Sequence, residues 1–250
     1  MKAAAIAEFL DDYLHNGEIR DWPGALNGLQ VDSRGNVTRI AAAVDASEAT
    51  IAAAVAAGCD LLLVHHGLFW DGNLPVTGRR YRRLRLLFEH DIAVYSSHLP
   101  LDVHAEVGNN AVLARELGIR VDSGFGERDG VAIGVRGVLE IDRNELHERL
   151  RSLLGVDVHL IPGGPGRVRS VAVVTGGGGS MVGAAVEAGL DALITGEGSH
   201  HTYIDAMEGG LNLFYGGHYA TETWGVRALA ALLSERFGLE WQFLDEPSGL

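Results

Sequence analysis

The chain has 250 residues, 47% of them hydrophobic and 21% charged, so it can bury a substantial core as one large or two modest domains. Its net charge of -13 argues against tight nonspecific binding of nucleic acid, which depends largely on Lys and Arg. No apolar stretch is long enough to span a bilayer and the first residues lack a signal-peptide pattern, which predicts a cytoplasmic protein. The single cysteine, Cys59, excludes an internal disulfide and a multi-thiolate zinc site.

The first half of the chain alternates strand-like and helical segments. RIAAAVDAS reads as a strand and a turn, with Ser47 as the N-cap of an Ala-rich helix that Gly58 ends before the apolar run LLLV. The basic segment 78–85, GRRYRRLR, is predicted to be one solvated face of a helix, with a phosphate or partner contact as the alternative.

Residues 126–167 read as an insertion. A strand, VAIGVRGVL, precedes an amphipathic helix from about Asp142 to Leu154 and a second strand, VDVHLI, before the Pro- and Gly-rich linker at 161–169. The glycines of TGGGGS, residues 175–180, favour a tight turn between strand and helix, and an anion cradle is the alternative.

Two parts of the sequence repeat each other. Segment 53–67, AAVAAGCDLLLVHHG, matches segment 184–198, AAVEAGLDALITGEG, at eight of fifteen positions, and IAVYSSHLPLD aligns with NLFYGGHYATE further along. The fold class predicted is therefore α/β, with two similar lobes from an internal duplication, each a mainly parallel sheet flanked by helices. We place the lobes at 1–125 and 126–250, and C-terminal elements could pack back on the first lobe.

Three pairs of possible metal ligands each follow a strand-like run. They are His65 with His66, His98 with Asp102, and His218 with Glu222. Imidazole and carboxylate groups suit zinc, iron or manganese, and the carboxyl ends of sheet strands are where such groups converge. The pattern predicts a metal site with two divalent ions, whereas ordinary solvated or hydrogen-bonded roles are expected for His15, His90, His147 and His159.

The motifs NGLQV, VHHGLFW, SSHLPLDVH with GNN, TGEGSHH and GGHYATE occur in this order over nearly the whole chain. Together they resemble the NIF-three-like family, whose bacterial members carry the label GTP cyclohydrolase 1 type 2 homolog. The resemblance implies a two-lobed α/β protein with a dinuclear metal centre between the lobes and a toroidal homohexamer.

Carried over position by position, the resemblance implies a specific set of metal ligands. They are His65, His66, Asp102, His218 and Glu222. His98 and His201 also match family positions: His201 is our candidate acid–base group, and His98 is either a ligand or an orienting group. We favour the orienting role because Pro100 predicts a loop after His98. Glu197 stands where many relatives have Asp.

The function predicted is that of a metal-dependent hydrolase acting on a nucleotide or a related heterocycle, with GTP chemistry suggested by the family label alone. The small-molecule substrate is not readable from the sequence, because fold and metal site do not fix it. The alternative is a non-catalytic protein that stores or delivers metal, or a regulatory scaffold. Neither a membrane nor a nucleic acid is expected as a partner.

Overall fold

The computed structural model describes residues 1–249, which form two β-sheets flanked by helices. The strands are β1 (Gly28–Val31), β2 (Arg39–Asp45), β3 (Leu61–His66), β4 (Ala93–Ser96), β5 (Arg120–Arg128), β6 (Val131–Asp142), β7 (His159–Pro162), β8 (Arg167–Val174), β9 (Ala192–Thr195), β10 (Asn212–Tyr215) and β11 (Glu240–Phe243). The helices are α1 (Ala3–Leu14), α2 (Glu48–Ala56), α3 (Gly78–Glu89), α4 (Leu99–Val103), α5 (Asn109–Glu116), α6 (Arg143–Leu154), α7 (Val182–Glu187), α8 (His201–Gly209), α9 (His218–Thr221) and α10 (Thr223–Phe237). No helix among these residues is long and apolar enough to cross a membrane.

The first sheet is mainly parallel, as predicted. Its order is β1-β4-β3-β2-β11, and only the β1–β4 pairing is antiparallel. The predicted cap is present, because the Ser47 side chain accepts a hydrogen bond from the Thr50 backbone N–H and starts α2. Gly58 follows the helix with a φ of +63°, a conformation that favours glycine and turns the chain into β3. Thus β3 ends at His65 and His66, in the middle of the sheet.

The second sheet is mixed, which corrects the prediction that both sheets are mainly parallel. Its order is β5-β6-β8-β9-β10-β7, and the pairs β5–β6, β6–β8 and β10–β7 are antiparallel. Each of these pairs includes β6 or β7, the two strands that lie within the predicted insertion at 126–167. Asp129 and Gly130 both have positive φ between β5 and β6, so the Asp-Gly pair signals a hairpin that the sequence analysis overlooked.

Helices cover both faces of the second sheet. A hydrophobic core lies on each face, and alternate residues of β8 belong to different cores. Val171 and Val173 pack with α5 and α6, whereas Ala172 and Val174 pack with α7 and α8. The predicted helix at 142–154 is observed as α6, and the Asp142 carboxylate accepts from two backbone N–H groups at its start.

The same hydrogen-bond pattern occurs at equivalent strands of the two sheets, which is consistent with a duplication. The Asp60 carboxylate accepts from the backbone N–H of Thr38 and Arg39, where β2 begins. In the second sheet the Asp191 carboxylate accepts from the backbone N–H of Arg169 and Ser170 in β8. The sequence alignment places these two aspartates at the same position of the repeat.

The chain divides into two compact units. The first comprises Met1–Leu101 and Gly225–Glu246, and the second comprises Asp102–Trp224 together with the described residues from Pro247 onward. The division therefore falls after Leu101, before the position that the sequence suggested, because α5 packs into the core of the second sheet. The C-terminal strand β11 pairs with β2 in the first unit.

Candidate metal-binding site

The first unit contains a group of three histidines. The ligand-type atoms of His65, His66 and His98 all lie within 4.8 Å of one another. His65 and His66 end β3, and His98 follows β4, the parallel neighbour of β3. The carboxyl ends of two adjacent strands therefore bring the three imidazoles together, as the sequence predicted for this edge.

Each of these rings has its Nδ1 atom against an oxygen acceptor. Nδ1 of His65 lies 3.0 Å from the carbonyl oxygen of Ser97, and Nδ1 of His66 lies 2.9 Å from Oδ1 of Asp45. Nδ1 of His98 lies 2.9 Å from Oδ1 of Asp21. Because these oxygens only accept, Nδ1 carries the proton, and a neutral ring then has its lone pair on Nε2. This tautomer is the one that histidine ligands of metals commonly adopt.

The Asp21 carboxylate accepts hydrogen bonds from several groups around His98. Besides the His98 ring, it accepts from the backbone N–H of Leu99 at 2.8 Å and from the side-chain amide of Asn27 at 2.9 Å. Burial alone would raise the pKa of Asp21, but the hydrogen bond and positive charge of His98, with the other donors, lower this pKa to about 2. Asp21 is therefore ionised and holds the His98 ring in one orientation.

The second unit contains a histidine–carboxylate pair at the start of α9. Nε2 of His218 lies 3.2 Å from Oε1 of Glu222, and Nδ1 of His218 lies 2.8 Å from Oε1 of Glu197. The hydrogen bond to Glu222 raises the pKa of His218 to about 9, with the charges of both glutamates adding to it and burial opposing it. A metal ion bound by His218 has to displace this proton. Glu197 thus orients His218, although the sequence assigned it no definite target.

Gly176 makes room for this pair. A Cβ atom on Gly176 would lie 1.9 Å from Oε1 of Glu222 and 3.3 Å from Nε2 of His218, and the residue has a φ of +64°. Gly176 also accepts, through its carbonyl oxygen, from the backbone N–H of Gly196 and Glu197 at 3.0 Å each. The glycine-rich loop is therefore a tight structural turn that fixes Glu197 and leaves space around Glu222.

Asp102 is buried within a polar network of the second unit. Its Oδ1 atom accepts from the Asn109 side chain at 2.9 Å, and its backbone carbonyl accepts from the Asn110 side chain at 2.9 Å. Asn110 in turn accepts from the Thr175 backbone N–H at 2.8 Å. The GNN motif therefore sets the position of the carboxylate rather than offering ligands itself.

His98 is followed by a helix, which corrects the predicted loop. The short helix α4 begins at Leu99, and Pro100 sits in its first turn, where a missing N–H is tolerated. Pro100 therefore gives no reason to prefer an orienting role for His98 over direct binding of metal. His201 is exposed at the start of α8 and belongs to neither donor group.

Two further histidines and the basic segment have structural contacts. Nε2 of His147 donates to the carbonyl oxygen of Val158 at 2.6 Å, and His159 stacks on Tyr215. The arginines of α3 mostly contact nearby groups: Arg82 pairs with Glu48, and Arg80 donates to two loop carbonyls. These contacts favour the solvated helix face over a phosphate site.

These donor groups fit a divalent metal ion. Neutral imidazoles with Nδ1 fixed by a carboxylate or carbonyl, supplemented by buried carboxylates, are typical ligands of zinc, iron or manganese. Asp45 and Asp21, the carboxylates behind His66 and His98, were not predicted from the sequence. Asp45 could have been found, because it ends β2 opposite His66 in the neighbouring strand. Asp21 lies in an irregular segment and carries no comparable signal.

Known proteins resemble this chain along its whole length. The model of the family Duf34/NIF3 (NGG1p interacting factor 3) matches residues 1–248. A GTP cyclohydrolase 1 type 2 homolog of Deinococcus radiodurans is 43% identical, covering 98% of this chain and 93% of the relative. Two solved structures cover 100% of both chains: protein ybgI, of unknown function, with a TM-score of 0.93 and 38% identity, and a protein from Thermus thermophilus with a TM-score of 0.89 and 42% identity. With its two sheets and its histidine and carboxylate groups, the chain belongs to the Duf34/NIF3 family.

Proposed function

We propose that the protein is a metal-dependent hydrolase that binds two divalent ions through the donor groups of its two units. The observation that carries the proposal is the arrangement of His65, His66 and His98, whose Nδ1 atoms are all held by oxygen acceptors. A purely structural role for the three rings would not require them to share one tautomer and to converge within 4.8 Å.

The chain's own residues orient and hold protons around this site. Asp21 and Asp45 keep the Nδ1 proton on His98 and His66, and Glu197 does the same for His218. When bound, divalent ions supply Lewis-acid polarisation of an electrophile and lower the pKa of water. His201, exposed at the start of α8, is the proposed acid–base group.

The substrate class in this proposal is a nucleotide or a related heterocycle. It is supported by the name of the relatives, GTP cyclohydrolase 1 type 2 homolog. A toroidal homohexamer belongs to the same proposal and follows from the resemblance to the family, and a cytoplasmic location is the expectation drawn from the sequence.

Metal analysis and turnover measured on the same samples test the proposal. We expect wild-type protein to bind two equivalents of zinc, iron or manganese and to hydrolyse at least one member of a nucleotide and phosphoester panel. His65→Ala, His218→Ala and Glu222→Ala should each lose at least one equivalent and the turnover, whereas His90→Ala, which removes an exposed imidazole, should change neither.

Full metal occupancy in any two of the three ligand variants would contradict the assignment of the ligands. Two bound equivalents that exchange readily, without turnover of any compound, would contradict the hydrolase and favour storage or delivery of metal. Circular dichroism confirms that each variant is folded before the comparison is made.

A further inference from the structure

Two tryptophans contact the His98 imidazole from different loops. Trp22 lies between α1 and β1, and its ring centroid is 5.3 Å from that of His98 at an interplanar angle of 70°. Trp70 lies in the loop after β3, with its centroid 4.9 Å from His98 at 87° and 5.7 Å from His66. Both indoles therefore border the histidine donor group of the first unit.

Both tryptophans are also substantially exposed. Trp22 is 42% exposed and Trp70 is 37% exposed, although indole is among the largest apolar groups. A single exposed aromatic residue needs no explanation, but two on one imidazole form an exposed aromatic surface at a polar site. Such a combination of apolar area with a few converging polar groups is typical of a small-molecule site.

The two loops are held in place without a ligand. A Cβ atom on Gly24 would lie 2.7 Å from the carbonyl oxygen of Trp70, so the Trp22 segment and the Trp70 loop are in close backbone contact. The backbone N–H of Trp22 donates to Oδ1 of Asp21 at 2.7 Å, the same atom that accepts from His98. A surface fixed in this way binds a rigid ligand at a low entropic cost.

The chemistry of the surface selects the class of ligand. Indole rings stack on flat π-systems, and the imidazoles of His66 and His98 with the carboxylates of Asp45 and Asp21 surround them with polar groups. A ring with apolar faces and polar edges satisfies both features, whereas an aliphatic group lacks the polar edges. We propose that Trp22 and Trp70 form a stacking subsite for a planar heteroaromatic ring beside the His65–His66–His98 group. The proposal rests on the proposed function, because the ring belongs to the compound hydrolysed there.

Isothermal titration with adenosine and guanosine tests the subsite, with ribose and inorganic phosphate as probes that lack the ring. Trp22→Ala and Trp70→Ala should each weaken binding of the nucleosides by about 10- to 100-fold, the usual effect of losing a stacking partner. Trp241→Ala is the matched control, since Trp241 is 36% exposed on the edge strand β11, which β2 separates from β3. Metal content is measured on each sample and should stay at the wild-type level in all three variants.

The outcomes separate this inference from the proposed function. Full metal content with no nucleoside binding, or with equal binding in all variants, overturns the subsite and leaves the metal proposal standing. Nucleoside binding that depends on Trp22 and Trp70 in protein that takes up no metal supports the subsite and contradicts the metal proposal. If the two substitutions instead lower the mass measured by light scattering and leave nucleoside binding unchanged, the indoles face another copy of the chain and the subsite is wrong.

Discussion

His98 is expected to bind metal directly, and His98→Ala tests this. The ring is almost buried, its side chain being 13% exposed, and its ligand-type atom lies within 4.8 Å of those of both His65 and His66. Structural zinc sites have four ligands and bind their ion with apparent energies of about 10–16 kcal/mol, which gives roughly 2.5–4 kcal/mol per ligand. Loss of the ring should therefore weaken metal affinity about 100- to 1000-fold.

Asp21→Asn separates binding by His98 from orientation of His98. Asparagine keeps an oxygen acceptor for the His98 Nδ1 proton but removes the charge. Asp21→Asn should therefore weaken metal affinity by about 10- to 100-fold, the usual effect of losing a group that hydrogen-bonds to a metal ligand. Competition with a chromophoric chelator measures the affinities of both variants and of His90→Ala, the control for loss of an exposed imidazole.

The double variant completes the test. If Asp21 acts only through His98, adding Asp21→Asn to His98→Ala should cause no further loss of affinity. A loss in His98→Ala no larger than that in Asp21→Asn would refute direct binding and restore the orienting role.

Three further predictions concern the second unit, the repeat and the assembly. Gly176→Ala should remove metal from the His218–Glu222 group and destabilise the fold by about 1–3 kcal/mol, because the new Cβ meets Glu222 at a positive φ; metal analysis and urea unfolding check this. Asp60→Ala and Asp191→Ala should each lower the free energy of unfolding by about 1–2 kcal/mol at pH 7. Burial raises the pKa of Asp60, but the hydrogen bonds from Thr38 and Arg39 outweigh it and lower this pKa below 3.8. The stabilisation from Asp60 is therefore present above pH 3.8 and should disappear as the pH falls through the lowered pKa of the folded state. A loss of stability in Asp60→Ala that persists below this lowered pKa would contradict the reasoning. Light scattering should give a mass far above 26.6 kDa, and a monomer at micromolar concentration would exclude the ring assembly.

Local sequence signals predicted the individual elements well. Ser47 caps α2 as predicted, and Asp142, which was predicted to start the next helix, is the N-cap of α6; such signals are readable because an N-cap bond spans only two or three residues. The apolar run before His65 became the central strand β3, since a segment buried on both faces has no polar alternation. Strand pairing was harder to predict. Two of the three antiparallel pairs of the second sheet, β6–β8 and β10–β7, join residues far apart in the chain, whereas the β5–β6 hairpin carried a local signal in its Asp129–Gly130 turn.

The separation along the chain also explains which residues around His65, His66 and His98 could be predicted from the sequence. His65 and His66 are adjacent and end a strand, so their types and position predict a ligand pair without any knowledge of the fold. Asp45 needs one further step, the pairing of β2 with β3, which strand–helix–strand units normally adopt. Asp21 needs the tertiary structure, because it reaches His98 from 77 positions away through an irregular segment. The groups that set tautomer and charge were therefore the least predictable, although the chemistry of the histidines depends on them.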